Sequence, residues 1–468
     1  MGPLREIKLQ LGNLFKRGSF VQNASLVMLS RGGIFLLALF TTPIISRIFL
    51  PTEYGLFSLF NATIATLITI AGLELPTAIV LPKDKNTVYK LIQTVLFFTF
   101  LLIAFLLIGI ALGGPLLVEE LNLKHPIFLY LLVPALGLGS LLAVYNNWLV
   151  RQKSFTLISI SVALSNLIIR VITILLGIFI TQDFWGLAVG LLLGQVIQTA
   201  YYTFTFYRQE PEFFNIRITL ENIRSTLKLY RKYPTYLLPS RVLTNFRNQI
   251  LLFLLAAYFG QEFLGYFSMT SSLVTIPLQL LSFALSSVFF EKSASLAHQD
   301  KVAIGTRLNK LFKALFLLGF PIFLVGSFAG DWLASFFLGP QWVVTGYLAQ
   351  IVSIQAFYMF VISPFLGLYQ IFEREKLRFI MNILYLFGNL ASIYFGQLFL
   401  NPWWTMLILS LFNSTFHTIQ GYQLYQMTGM TFRKQALPKL VLFIVVALAV
   451  LGLRLFYFES PLLDLLRT

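Results

Sequence analysis

Long apolar runs, separated by short charged or Pro/Gly-containing breaks, follow one another from Ser25 to Tyr457. Roughly 20 apolar residues cross the hydrocarbon core of a bilayer as a helix, so each run predicts one transmembrane helix. We therefore expect an all-α integral membrane protein with about 13 transmembrane helices, and uncertain span ends allow 12 to 14. The predicted spans are 25–48, 55–80, 89–113, 126–150, 155–180, 184–207, 236–259, 265–290, 305–329, 342–371, 377–400, 403–426 and 438–457.

The composition supports membrane insertion and excludes several kinds of site. The 468 residues are 57% hydrophobic and only 11% charged, with a mean hydropathy of +0.81, which a soluble domain does not tolerate. The absence of cysteine excludes disulfides, a thiol nucleophile and thiolate metal sites. The three histidines are isolated, and there is no phosphate loop or suitable carboxylate pair. The sequence therefore predicts a protein with no catalytic residue, metal or cofactor.

The excess of positive charge follows the predicted topology. The chain has 34 Lys and Arg residues against 18 Asp and Glu, for a formal net charge of +16. Of these cations, 26 lie in the N-terminal segment and in the breaks on its side of the membrane, whereas Lys124 and Arg467 lie on the other side. By the positive-inside rule, the N-terminus is cytoplasmic. The charge sets the topology and attracts anionic membrane lipids, and it does not indicate nucleic-acid binding.

A weak internal repeat relates the two halves of the chain. A shift of 210 residues places "FLPTEYGLFS" over "FGQEFLGYFS" and one intramembrane arginine over another. Six predicted helices separate the copies, so the two bundles have parallel orientation, an arrangement in which transporters bind substrate in a central cavity between the halves. The same residue type is found 210 positions later for each of Ser30, Arg31, Phe49, Gly55, Phe57 and Ser58.

The polar stretch between the halves defines the expected domains. It contains "ITLENIRSTLKLYRKY", whose apolar residues recur at helical spacing opposite basic ones. An interfacial helix at the inner leaflet and an ordinary solvated linker fit this pattern equally well. The expected parts are a cytoplasmic N-terminus 1–24, an N-terminal six-helix bundle 25–207, a cytoplasmic linker 208–235, a C-terminal six-helix bundle 236–426, and an extra C-terminal helix with a tail 427–468.

Polar and basic residues share one face of the predicted seventh helix, "PSRVLTNFRNQILLF". Positions i, i+3, i+4 and i+7 are polar, and one further arginine lies at the edge of that face. Such a face is unsuited to lipid and predicts a hydrated cationic cavity, which attracts an anion. Arginine also clamps phosphate or carboxylate through paired donors. The predicted substrate-binding residues on this helix are Arg241, Thr244, Asn245 and Asn248, with Arg247 at the edge.

Three more charged residues lie inside predicted spans. Arg31 is the repeat partner of Arg241, and Arg170 lies near the middle of its helix. A central arginine costs roughly 2.5–3.5 kcal/mol to insert, so both are candidates to line the same cavity. Snorkelling, or pairing with helix-end carbonyls, explains them equally well. Glu74 is a candidate for carrying a coupling proton or cation, although a structural partnership with a neighbouring arginine is favoured.

Several motifs resemble a known family. The clearest are "SRIFLPTEYGLFS" and "LELPTAIVLPKDK", followed by "NNWLVRQKSF" and by "GYFSMTSSLVTIPLQLLSFALSSVFFEKSASL" in the second half. Together they make the chain similar to the bacterial polysaccharide or O-antigen flippases of the multidrug/oligosaccharidyl-lipid/polysaccharide transporter superfamily.

The resemblance implies two six-helix bundles around a central cavity that work by alternating access in the bacterial inner membrane. The implied substrate is an undecaprenyl-pyrophosphate-linked oligosaccharide for O-antigen, lipopolysaccharide or another polysaccharide. Polysaccharide polymerase and glycosyltransferases are the implied partners. In such flippases, cationic residues of the first and seventh helices line the cavity, which points to Arg31, Arg241 and Arg247. The thirteenth span departs from the twelve or fourteen helices of the family.

Two other functions remain as alternatives. A cation-coupled multidrug or small-molecule antiporter of the same fold needs an intramembrane acid, and the first helix has none. A polysaccharide polymerase or ligase is less suited, because the outer loops are short and the histidines His125, His298 and His417 are scattered. Transport of a cationic dye would favour the antiporter, and bond chemistry on lipid-linked sugars would favour the enzyme.

Overall fold

The computed structural model describes residues 20–120, 126–215, 219–296, 300–398, 401–457, 462 and 465. Within these helices, the side chains of residues 20–31, 117, 119, 120, 248, 276–280, 283, 284 and 455–457 are not described. Most of the predicted segment 1–24 therefore lies outside the described residues, as do Lys124, His125, His298 and Arg467. All regular secondary structure in the described part of the chain is helical, which confirms the all-α fold class.

The chain forms two compact units, Met1–Phe253 and Leu254–Thr468. The helices of the first unit are α1 (Phe20–Ile48), α2 (Pro51–Ala71), α3 (Lys85–Glu120), α4 (Ile127–Arg151), α5 (Phe155–Phe179), α6 (Phe184–Gln209) and the short α7 (Leu220–Leu229). Apart from the short amphipathic α7, each of these helices is mainly apolar and ends near a charged or Pro/Gly-containing break.

The boundary between the units falls inside α8 (Leu238–Ala294), which is kinked at Gly260, where φ is 83°. That left-handed conformation favours glycine and coincides with the break between two predicted spans. The remaining helices are α9 (Lys301–Leu338), α10 (Val343–Ile362), α11 (Leu368–Ile371), α12 (Glu375–Gln397), α13 (Pro402–Met427), α14 (Phe432–Gln435) and α15 (Leu437–Tyr457). Within the described residues, 10 helices are long and apolar enough to cross a membrane, and Gly32–Ile48 adds a shorter apolar stretch.

The predicted second span, 55–80, is too long. Helix α2 ends at Ala71, because Leu73 and Glu74 adopt left-handed φ angles of 50° and 58° that cannot continue a right-handed helix. A 3₁₀-helix, Leu75–Val80, follows, with Pro76 in its first turn. Hydropathy alone misses this end, because the 3₁₀ segment is as apolar as the helix before it.

One buried carboxylate joins three helix ends in the first unit. Glu210, directly after α6, accepts hydrogen bonds from Lys85 Nζ at 2.8 Å and from the Tyr89 hydroxyl, both in the first turns of α3. Its other oxygen accepts from Gln152 Nε2 at 3.1 Å, directly after α4. Burial alone would raise the pKa of Glu210, but the hydrogen bonds from Lys85 and Tyr89 outweigh this effect and hold the pKa below its ordinary value. The three helix ends are therefore fixed to one another.

The turn between α1 and α2 is anchored against α5 and α6. Glu53, buried in the first turn of α2, accepts a hydrogen bond from the backbone N–H of Phe184 at 2.8 Å, at the start of α6. The first amides of a helix have no intrahelical partner, so this carboxylate satisfies one of them. Phe49 is fully buried nearby, and a Cβ at Gly177 or Gly186 would lie within 2.9 Å of its ring. Only glycine permits this approach.

The last described helix, α15, is an integral part of the second unit. The ring of Phe443 stacks on Phe357 with centroids 3.7 Å apart. The buried Tyr358 hydroxyl donates to the backbone carbonyl of Leu440 at 2.8 Å. These contacts place α15 against α10, inside the apolar core of the unit.

A buried ion pair also holds α15. Arg454 Nη2 lies 2.6 Å from Asp331 Oδ2, and the side chains are 21% and 8% exposed. Gln350 Nε2 donates to the other oxygen of Asp331 at 3.1 Å. At the same level, a Cβ on Gly346 would lie 2.3 Å from the Cα of Asp331, so α9 and α10 pack backbone to backbone. The charge of Asp331 is thus compensated within a tightly packed site.

Candidate functional site

The predicted polar face begins in an irregular part of the chain. A π-helix, Tyr233–Leu237, leads into α8, and the N–H of Leu238 donates to the carbonyl of Tyr233, five residues earlier. Pro239 follows and lacks an N–H, which a helix tolerates in its first turn. The π-helix packs against the 3₁₀-helix Leu75–Val80. The first turns of α8 are thereby brought beside the end of α2.

Arg241 and Glu74 meet at this junction. Arg241 Nε lies 3.5 Å from Glu74 Oε1, and the two side chains are 59% and 11% exposed. The separation qualifies as an ion pair but is too long for a strong hydrogen bond. The terminal nitrogens of Arg241 make no hydrogen bond with any residue that the structure describes. The structure therefore brings together two residues that the sequence singled out separately.

A second contact lies one turn further along α8. Asn245 Nδ2 donates to Thr69 Oγ1 at 2.6 Å. The Thr69 hydroxyl in turn donates to the backbone carbonyl of Ala65 at 2.9 Å, within α2. The half-buried amide of Asn245 thus joins α8 to α2. The Arg241–Glu74 ion pair beside it is part of the same junction.

The structure describes the side chains of only some of the other predicted residues. The exposed Thr244 donates its hydroxyl to the carbonyl of Ser240 at 2.9 Å, and Arg247 is half-buried. Asn248 and Arg31 lie on α8 and α1, but their side chains are outside the described part of the structure. Their contribution to the site stays a prediction.

Arg170 lies in a different setting within the first unit. Its Nη1 donates to the hydroxyl of Thr41 at 2.7 Å, which joins α5 to α1. Thr41 itself donates to the carbonyl of Leu37 at 2.7 Å. This half-buried arginine has a polar partner inside the bundle, so its charge does not need to reach the interface.

A family model described as polysaccharide biosynthesis protein matches residues 44–346, which is well over half of the chain. The chain belongs to this family. The matched range contains α2, the Arg241–Glu74 pair and the polar face of α8. No curated protein sequence matches this polysaccharide biosynthesis protein.

Solved structures are similar to this family member in fold. The lipid II flippase MurJ, in an inward closed conformation, has 15% identity and a TM-score of 0.69, with coverage of 95% of this chain and 100% of that one. An inward-facing multidrug resistance MATE family transporter of the MOP superfamily has 13% identity and a TM-score of 0.56, over 86% and 96% of the chains. A MOP superfamily transporter from Pyrococcus furiosus has 13% identity and a TM-score of 0.55, over 86% and 93%. At these identities the likeness shows the fold alone.

Glu74 is largely buried at the junction, whereas Arg241 is more than half exposed. Glu74 lies beyond the end of the span Pro51–Ala71. Burial raises the pKa of its carboxyl, and the positive charge of Arg241 opposes part of this rise. Within the described ranges, no group of three or more acidic, histidine or cysteine side chains comes together as metal ligands would. An exposed guanidinium with unused donors is suited instead to bind an anion.

Sequence reasoning missed the partners of this site. Thr69 and Thr41 are single threonines in apolar runs, with nothing in their spacing to distinguish them from other membrane threonines. Their roles depend on which helices are neighbours, and helical periodicity does not reveal this. The pairing of Glu74 with a nearby arginine was one of two roles proposed for it.

Proposed function

We propose that this protein is a flippase that moves a lipid-linked oligosaccharide across the cytoplasmic membrane of a bacterium, from the inner to the outer leaflet. Family membership supports a role in polysaccharide biosynthesis. The fold shared with the lipid II flippase MurJ supports movement of a lipid-borne substrate, and the multi-pass helical architecture fits transport rather than catalysis. The proposed substrate carries an undecaprenyl-pyrophosphate group, as expected for a repeat unit of O-antigen or a related polysaccharide.

The observation that carries this proposal is the exposed guanidinium of Arg241 beside the polar side chain of Asn245. A pyrophosphate group offers several charged acceptor oxygens, and arginine binds such groups through two parallel N–H donors. Amide and hydroxyl groups along the same face would bind sugar hydroxyls, while the polyprenyl tail stays in lipid. The proposed substrate-binding set is Arg31, Arg170, Arg241, Thr244, Asn245, Arg247 and Asn248.

The proposed cycle is alternating access between two parallel six-helix bundles, with the substrate in a cavity between them and the N-terminus in the cytoplasm. The headgroup would bind first at the cytoplasmic ends, where Arg31 and Arg241 lie in the predicted topology. Arg247, farther along α8, would hold it deeper. A membrane potential that is negative inside favours outward movement of an anion by about 2.3 kcal/mol per charge per 100 mV.

The proposal is tested by replacing Arg247 in the native bacterium. With unchanged membrane abundance, Arg247→Ala should abolish surface polysaccharide and cause the lipid-linked oligosaccharide to accumulate on the cytoplasmic side. Arg433→Ala, at an exposed arginine of α14, is the matched control and should leave surface polysaccharide unchanged. Arg247→Lys separates charge from paired hydrogen bonding, because lysine keeps the charge but lacks the two parallel N–H donors of the guanidinium. Full activity of Arg247→Ala would refute the cavity assignment.

A multidrug antiporter is the second candidate, because the fold is also shared with MATE family transporters. In that case Glu74 would carry the coupling proton or cation. The proximity of Arg241 argues against this role, since a guanidinium competes with a coupling cation for the carboxylate. Uptake of a cationic dye into proteoliposomes, dependent on a proton or sodium gradient, would establish the antiporter instead.

A further inference from the structure

We propose that Glu74 is a tethered competitor of the substrate: it holds Arg241 while the site is empty, and the phosphate groups of the substrate displace it. This inference rests on the proposed flippase function and deepens it. The ion pair would raise, by the same factor, the concentration of any phosphate-bearing lipid that is needed to fill the site. Glu74 would then be a determinant of affinity rather than a carrier of a coupling ion.

The Arg241–Glu74 ion pair has the geometry of a weak contact that an incoming anion can displace. Arg241 Nε lies 3.5 Å from Glu74 Oε1, and the arginine side chain is more than half exposed. An ion pair of this kind contributes little, because water screens it and a long side chain must be ordered to form it. The terminal nitrogens of Arg241 are not used by the described residues, so an incoming phosphate can contact them before the carboxylate is released.

Glu74 is the fixed partner. Its backbone and that of Leu73 adopt left-handed φ angles of 58° and 50°, which residues with a Cβ rarely adopt and which cost free energy. The Thr77 hydroxyl donates to the carbonyl of Glu74 at 2.7 Å, and the following residues Leu75 and Ala78 are completely buried. Strained backbone that is held by its surroundings often marks a functional site. Here it directs a largely buried acid toward the arginine.

Arg241 is the partner that can turn away. It stands in the first turns of α8, directly after the π-helix Tyr233–Leu237, none of whose residues is buried. The elements packed against the Glu74 segment are α3, α4 and this π-helix, and Arg241 is the charged group of the described residues that acts on the Glu74 carboxyl. Displacement therefore changes one specific charge contact.

A binding titration tests the inference. Purified full-length protein in lipid nanodiscs would be titrated with undecaprenyl pyrophosphate and, separately, with phosphatidylglycerol. Glu74→Gln should lower the midpoint about two- to fivefold, the range expected for loss of a half-exposed ion pair. Because both ligands must break the same pair, both midpoints should fall by the same factor.

Two controls separate displacement from other effects. Glu373→Gln makes the same change at an exposed acid that also has a left-handed φ, 53°, and it should not shift either midpoint. In an Arg241→Gln background, Glu74→Gln should give no gain, because there is no pair left to break. A gain of the same size without Arg241 would mean that Glu74 only repels anions, and it would overturn the proposal.

The outcomes also distinguish the inference from the function on which it rests. If the wild-type protein binds undecaprenyl pyrophosphate but folded Glu74→Gln binds it equally or more weakly, the displacement proposal fails and the flippase proposal survives. If folded wild-type protein does not bind undecaprenyl pyrophosphate, both fail. Size-exclusion profiles and thermal unfolding midpoints of each variant establish that it is folded.

Discussion

The buried pair of Arg454 and Asp331 gives a sharp prediction for stability. Arg454→Met removes the guanidinium but keeps much of the apolar stem, and it leaves the carboxylate of Asp331 only 8% exposed. Breaking a buried ion pair by removing one partner typically costs 3–5 kcal/mol. Arg454 is 21% exposed and Gln350 still donates to Asp331 at 3.1 Å, so we expect the lower end of that range, about 3 kcal/mol.

A double variant also removes the charge of Asp331, which Arg454→Met alone would leave unpaired. With Asp331→Asn added to Arg454→Met, no ionised group remains, and an amide oxygen can still accept from Gln350. The double variant should therefore recover most of the loss and lie within about 1 kcal/mol of the wild-type protein. Asp331→Asn alone should be less damaging than Arg454→Met, because the arginine is the more exposed partner.

The measurement is the free energy of unfolding of purified protein in mixed micelles, from equilibrium denaturant titrations followed by circular dichroism. The four proteins form a double-mutant cycle, which isolates the interaction of the two side chains. If Arg454→Met costs less than about 1 kcal/mol, the pair behaves like a surface salt bridge. If the double variant is as unstable as Arg454→Met alone, packing around α15 rather than the stranded charge causes the loss. Either result would refute the reasoning.

Three further predictions concern the first unit. Because the pKa of Glu210 is lowered in the folded protein, its stabilising contribution is complete above the ordinary value of 4.5 and is lost as pH falls below it. The thermal midpoint should fall between pH 5 and pH 3, with less dependence in Glu210→Gln; equal dependence would contradict this. Glu53→Ala leaves the N–H of Phe184 without its acceptor and should cost about 1–3 kcal/mol of unfolding free energy by denaturant titration, whereas no loss would refute the capping role. Thr41→Val removes the acceptor of Arg170 and should lower the thermal midpoint, while Arg170→Leu with Thr41→Val should be less damaging than Thr41→Val alone.

The fold class and the existence of the helices follow from the sequence, because apolar runs of membrane length have few alternative structures. The break at Gly260 was also predictable, since glycine at a charged interruption favours a bend. The end of α2 was not predicted, because the apolar run continues through it. The left-handed residues Leu73 and Glu74 carry ordinary side chains, and only Gly72 and Pro76 on either side of them are residue types that commonly end a helix.

For the site, too, the sequence predicts which residues share a face of α8, but it does not predict which residues of other helices contact that face. Periodicity predicts that Arg241 and Asn245 share a face, because that depends only on residues along one helix. Their partners Glu74 and Thr69 are more than 160 residues away, and only the packing of helices brings them near. Likewise, the partner of Arg454 is Asp331, 123 residues earlier, which helical periodicity does not reveal.

The Glu210 cluster has a practical consequence for studying motion in this protein. Since a single carboxylate binds groups from the starts or ends of α3, α4 and α6, those ends should keep constant separations in every state of the proposed transport cycle. Spectroscopic labels placed on these ends would report an invariant distance. They would provide an internal ruler, against which displacements measured elsewhere in the same molecule can be calibrated.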